Sequence, residues 1–279
     1  MIELRHVDGG LITGRFTDHH VHLQLVDHTR LTGSRLGRVI DLGANPDWAR
    51  TAHADDVAIE YAGAFLTAPG GYPSDREWAP AGSVQQIPDA ASAAAAVTAL
   101  AASGARFIKA TLHSEAGPVF DDVTFRAIVE TARAHMLPVV AHAEGAGQAQ
   151  RAASLGATLL AHAPFSERLT NEEIAEQAAA ISWISTLAIH DEAHREIAID
   201  NVRRFAASGG AVLYGTDMGN GDSPVDLNVA ELAALREAGI DGIHLLKALA
   251  PMDADPTPLF LPDGDPALAR PLTTDDQEA

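Results

Sequence analysis

The chain has 279 residues, no cysteine and a formal charge of −19, from 38 acidic against 19 basic side chains. That acidity disfavours nucleic acid or an anionic membrane as a partner, and the length allows one large domain or two ordinary ones. Without cysteine there is neither a disulfide framework nor a thiolate metal site, so any metal ligand must be histidine, carboxylate or a modified lysine.

The first residues, Met1-Ile2-Glu3-Leu4-Arg5-His6, lack the pattern of a secretory signal. No run approaches the roughly 18 apolar residues of a membrane span. A cytoplasmic protein is the expectation. Then comes Phe16-Thr17-Asp18-His19-His20-Val21-His22-Leu23, three histidines and an aspartate inside an apolar run. As a strand it would put Asp18, His20 and His22 on one face. Two imidazoles on one face suit zinc or a similar divalent cation; a polar strand end with idle, hydrogen-bonded histidines is the alternative.

Apolar runs followed by helical patterns recur from there. Strands are expected at Arg38–Gly43, Ile59–Leu66, Arg106–Thr111, Pro138–His142, Thr158–His162, Ser182–Leu187 and Ala211–Asp217. Helices are expected from about Pro46, from Pro88-Asp89, over Asp121–Met136, from the Thr170/Glu173 capping box, over Asp191–Ser208, and over about Pro224–Ala238. The segment Thr67–Pro73 is too rich in glycine and proline to be regular. Eight strands alternating with helices predict a parallel sheet, and in a chain of this length a closed (β/α)8 TIM barrel. A doubly wound open sheet is the alternative, but no Gly-x-Gly-x-x-Gly turn follows the first strand. One domain spanning 1–279 is expected, with a core over about 14–250, a tail over 251–279, and fraying at Thr273–Ala279.

A barrel collects its active-site groups at the C-terminal ends of its strands. His20, His22, Lys109, His142, His162 and Asp217 each end an apolar run. Singly each has a structural account: a satisfied core histidine, a lysine paired with a buried carboxylate, an aspartate capping a helix. Jointly they read as one site. Four further residues are candidates for binding substrate. His113 and Glu144 follow Lys109 and His142 closely, and His190 and Trp183 belong to the seventh strand and its loop, with Trp183 better suited to the core. Tyr72 and Trp78 are candidate lid residues. The remaining histidines, His6, His28, His53, His135, His194 and His244, are assigned to surface or helix positions.

The set Asp18-His19-His20-Val21-His22, Phe107-Ile108-Lys109, Val140-Ala141-His142, Leu160-Ala161-His162 and Gly215-Thr216-Asp217 resembles the metal-dependent amidohydrolase superfamily, over about Gly14 to Gly239. Three further stretches resemble its imidazolonepropionase- and prolidase-related members: Gly104–Lys109, Thr67–Gly71 and Glu231–Gly239. The resemblance implies one or two divalent metal ions, zinc above all. His20 and His22 would hold the more buried ion and His142 and His162 the second. Lys109 would bridge both as a carbamate, and Asp217 would be the last ligand and the proton shuttle. It implies hydrolysis of a small-molecule carbonyl compound, an amide or cyclic amide, by metal-bound hydroxide. A mononuclear heterocycle deaminase, a lactonase or phosphotriesterase-type hydrolase, and a metal-bound scaffold or binding subunit without activity stay open. Relatives flank the barrel with a β-sandwich built from both chain ends; here it is expected to be missing or vestigial, leaving edges that a homo-oligomer could cover.

Overall fold

The computed structural model describes residues 4–278; Met1-Ile2-Glu3 and Ala279, which belong to the two terminal readings above, lie outside them. Strands β1 (Arg5–Val7) and β2 (Gly10–Thr13) precede a three-stranded parallel sheet of β3 (Phe16–Val21), β4 (Leu36–Asp41) and β5 (Ala58–Tyr61). A seven-stranded parallel sheet follows. It comprises β6 (Phe65–Thr67), β7 (Val84–Gln86), β8 (Ile108–His113), β9 (Val139–Glu144), β10 (Leu159–Leu160), β11 (Ser182–Ile184) and β12 (Ala211–Leu213), in spatial order β12-β11-β10-β9-β8-β6-β7.

The helices are α1 (Pro46–Ala49), α2 (Ala90–Ala102), α3 (Asp122–Ala134), α4 (Gln148–Ser154), α5 (Asn171–Ala180), α6 (Glu192–Ala207), α7 (Val229–Glu237) and α8 (Gly242–Leu249). Their starts follow local chemistry. Asp89, Asp121 and Asp191 each accept a backbone N–H three residues on, and Thr170 with Glu173 completes the expected capping box.

Hydrogen bonds join the two parallel sheets at both edges. On one side the His19 N–H donates to the Tyr214 carbonyl at 3.0 Å and the His22 N–H to Met218 at 2.7 Å. On the other the Arg106 N–H donates to Tyr61 at 2.8 Å. Ile40, Leu42, Val140, Ala161 and Ile184 form a small buried cluster between the two sheets, separate from the larger core that includes the helices.

Four expectations change. The third strand is not continuous over Ile59–Leu66: the chain turns at Gly63, whose φ of +76° glycine alone adopts without strain, so β5 pairs with β4 and β6 with β8. The excursion through Trp78 contributes an unforeseen strand, β7. Helix α1 is a single turn, and α7 begins at Val229 rather than near Pro224, because Asp226 is held by Arg35 at 2.9 Å and Asn228 supplies the cap.

The fourth concerns the chain ends. Strands β13 (Leu259–Pro262) and β14 (Arg270–Pro271) add to β1 and β2 in the order β1-β2-β13-β14, an antiparallel sheet separate from the other two. A missing flanking sheet is therefore excluded and a small one is present. At the end of the tail lies helix α9 (Asp275–Glu278), with Arg270 paired to Asp276 at 2.6 Å. The two ends are also joined by a buried ion pair, Arg15 Nε to Asp255 Oδ2 at 3.1 Å, with side chains only 4% and 0% exposed. Removing one member of such a pair strands the other charge. Arg15→Ala is expected to lower the unfolding free energy by about 3–5 kcal/mol, read from urea melts.

Among the described residues, no helix is long and apolar enough to cross a membrane.

Candidate metal centre

His20 and His22 leave the end of β3 pointing into the space between the two sheets, and their orientation is fixed by carbonyls. His20 Nδ1 lies 2.8 Å from the Ala161 carbonyl and His22 Nδ1 3.3 Å from that of Gly43. A carbonyl only accepts, so in each neutral ring Nδ1 carries the proton and Nε2 keeps its lone pair. The two Nε2 atoms sit 3.3 Å apart, and Asp217 Oδ1 lies 3.1 Å from both. Oδ1 is buried and accepts no well-formed hydrogen bond, whereas Oδ2 accepts one from Asn220 at 2.9 Å. Three lone pairs thus converge with no proton between them. Such an arrangement is repulsive by itself and fits a divalent cation.

Burial and the nearby Lys109 push the His20 pKa well below its ordinary value, and burial does the same to His162, favouring the unprotonated rings that ligation needs. His20, His162 and Asp217 present ligand atoms within 4.8 Å of one another. The His162 Nδ1 is 2.9 Å from Thr186 Oγ1. Thr186 sits at φ +46°, a left-handed conformation costly for a β-branched residue, so backbone strain is held where the hydroxyl meets the imidazole. Lys109 is 1% exposed, with Nζ 3.3 Å from His20 Nε2. Burial brings its pKa down to about 7 against the opposing pull of Asp217 and Asp41.

His142 turns its Nε2 towards Glu144 Oε2, 3.1 Å away, and His113 Nε2 lies 3.3 Å from the same oxygen. These three form a second group beside the first, linked through the His142 and His162 rings, whose centroids are 4.8 Å apart. A further ligand role for His142 therefore falls to Nδ1, with Nε2 anchored by carboxylate. Tyr72 stacks on His142 at 5.2 Å, and Tyr72, Trp78 and His190 line the same cavity as Lys109 and His162.

Two sequence readings are corrected. Trp183 is not in the pocket: it is fully buried under the helices, stacked on Phe205 at 3.8 Å with its indole N–H donated to Gln177. Its side chain leaves the opposite face of β11 from the site. Asp18 does not join His20 and His22 either. A bulge between Asp18 and Val21 breaks the alternation, and the Asp18 carboxylate accepts the His20 N–H at 3.0 Å and the Thr216 hydroxyl at 2.6 Å. It clamps β3 to the segment carrying Asp217. Gly215 in that segment is required by close approach, since a Cβ there would stand 2.3 Å from Ile184 Cγ2 and 3.2 Å from His20 Cβ.

Several site residues escaped the sequence reading. Phe65 and Phe165 line the cavity, Asn220 holds Asp217, and Thr186 orients His162. Only Asn220 left a local signal, the loop Asp217-Met218-Gly219-Asn220-Gly221. Glu231, on α7, is fully buried and accepts the N–H groups of Leu187 and Ala188 at 3.0 and 2.7 Å, fixing the turn between Thr186 and His190. Burial raises its pKa from 4.5 to about 7. A carboxyl raised on folding contributes stability that is complete below about 4.5 and is lost as pH rises through about 7. The difference corresponds to roughly 3 kcal/mol at most. Melting temperatures of Glu231→Gln are expected to fall less than those of the parent between pH 5 and about 8.

No family model and no curated protein matches the sequence. Solved structures do match. A Xaa-Pro dipeptidase with methionine bound in its active site superposes with a TM-score of 0.72 at 17% identity, covering 91% of this chain and 81% of that one. For the A. niger ochratoxinase the values are 0.75, 15%, 92% and 80%. A bottromycin amidohydrolase gives 0.64, 19%, 93% and 74%. The fold is the one these structures share. At these identities the amidohydrolase likeness is one of architecture, and the chemistry has to be argued from the residues of this chain.

Proposed function

We propose that the protein is a metal-dependent amidohydrolase that cleaves a small amide or cyclic amide. The observation that carries this reading is the unprotonated junction of His20 Nε2, His22 Nε2 and Asp217 Oδ1 at 3.1–3.3 Å. We propose further that the joined sheets make one closed barrel of eight strand positions, with β5 and β6 sharing the third and β7 added outside β6, a reading supported by the bonds from His19, His22 and Arg106. The small sheet of the chain ends would be an appendage to that single unit.

His20, His22 and Asp217 would hold one ion, and His142, His162 and a Lys109 carbamate would complete a second position. One or two divalent cations, zinc being the best fit to this nitrogen and oxygen set, would supply a water acidified from a pKa of about 15.7 towards 7 and polarise the amide carbonyl. The protein's own part is positional and acid–base. Asn220 fixes Asp217 so that Oδ1 faces the cavity, where it can take a proton and return it to the leaving nitrogen. Ala161, Gly43 and Thr186 hold the imidazoles in register. Tyr72 and Trp78 cover the opening and limit water.

The reaction class is tested with zinc-loaded protein on a panel of simple amides, lactones and amino-heterocycles. Hydrolysis of amides, abolished by chelation and restored by zinc, with about two ions per chain, is the expected result. One ion per chain with turnover confined to amino-heterocycles would replace this reading by deamination. No turnover of any class would leave a binding protein.

A further inference from the structure

The cavity at the candidate centre has two lobes. The inner one, about 170 Å³, runs between Phe65, Phe165 and Ile189 and ends at His142, Glu144 and His190. The outer one, about 240 Å³, lies over Leu25, Gly219 and Gly221. Both are bordered by His22, Tyr72, Trp78, Asp217 and Asn220, so the lobes meet at the Asp217 carboxylate. A bond broken there would have one half of its molecule in each lobe.

The lining also carries an unusual charge pattern. Apart from the imidazoles, the charged side chains on the two lobes are Lys109, Glu144 and Asp217. Lys109 is buried against His20 and is committed to the centre. Among the described residues, neither lobe is lined by an arginine or a second lysine that could pair with a substrate carboxylate. Glu144, 23% exposed at the end of the inner lobe, presents an anion instead. A second anion placed beside it in a confined, partly desolvated space is repelled, whereas a neutral donor or a cation is not. Among polar side chains the walls also carry three aromatic rings: Phe65 and Trp78 stand edge to face at 6.1 Å, and Tyr72 lies 6.1 Å from Trp78. Such rings favour a planar partner.

We propose that the substrate is a two-part amide without a free carboxylate, whose planar half sits in the inner lobe with an uncharged or cationic donor directed at Glu144. This deepens the hydrolase reading above and rests on it for the identity of the scissile bond, but the recognition itself does not require turnover.

The test uses three matched probes on the zinc-loaded protein: acetanilides carrying a para carbamoyl, aminomethyl or carboxylate group. Binding is followed by quenching of Trp78 emission, assigned by its loss in Trp78→Phe, and hydrolysis by release of the aniline. The carbamoyl and aminomethyl probes are expected to bind at least about tenfold more tightly than the carboxylate, a discrimination of the size one like-charge contact produces. Glu144→Gln is expected to narrow that gap by strengthening the carboxylate probe and weakening the aminomethyl one. Equal or tighter binding of the carboxylate probe, or no quenching by any of the three, overturns the proposal. The expected binding order without hydrolysis of any probe supports this recognition while removing the hydrolase reading; hydrolysis with the carboxylate probe preferred does the reverse.

Discussion

Asp217→Asn is expected to keep near-normal zinc while losing at least about a hundredfold in kcat. The two parts of this result have separate causes. Metal content survives because His20 and His22 still offer Nε2 and the amide oxygen can replace Oδ1, once Asn220 turns its own amide so that its oxygen accepts from the new NH2. Turnover fails because an amide cannot accept a proton, and loss of a general base costs about 10²–10⁴ in rate. His20→Ala provides the contrast: it removes an Nε2 from the junction and is expected to lose zinc and activity together. Metal analysis of both proteins beside their kcat values separates proton transfer from metal storage. Near-parental kcat in Asp217→Asn would move the base to Glu144, whose carboxylate is the next one exposed to the cavity.

The second large effect is expected at Lys109. An ammonium beside two divalent cations is repelled, but an amine brought down to about 7 by burial is substantially neutral at physiological pH. A neutral amine adds carbon dioxide, releasing one proton and leaving an anionic oxygen donor. Lys109→Ala removes that donor and is expected to weaken metal binding by at least about tenfold, since even partners outside the ligand shell contribute 10–100-fold. Acetate or propionate added at millimolar concentration should restore part of the activity by filling the space with a carboxylate. Unchanged metal affinity in Lys109→Ala, together with no effect of added carboxylate, would show that the lysine acts as an amine.

The fold and the centre were legible to different degrees. Helix starts were readable because Asp89, Asp121, Thr170 and Asp191 cap them through contacts three residues long. The six residues expected at strand ends come together because a strand end is marked by where an apolar run stops, which is local. What could not be read is set at long range. The bulge in β3 takes Asp18 off the face it would share with His20 and His22 and turns it to Thr216, nearly 200 residues away. Trp183 was ambiguous because alternation along three residues does not say which face of β11 is the inside. The aromatic walls Phe65 and Phe165 carry no motif, and their role follows only from where the loops fall.

The pairing of β2 with β13 and the Arg15–Asp255 ion pair, |i−j| = 240, has a consequence for biogenesis. A ribosome delivers the N-terminus long before its partners exist. Until Asp255 and β13 emerge, Arg15 and the outer edge of β2 lack the contacts that hold them in the native protein. His20 and His22 must similarly wait for Asp217. The candidate metal centre is thereby a late product of synthesis, assembled only when most of the chain is present, and a prematurely terminated fragment ending before residue 217 would carry its histidines without the carboxylate that completes their junction.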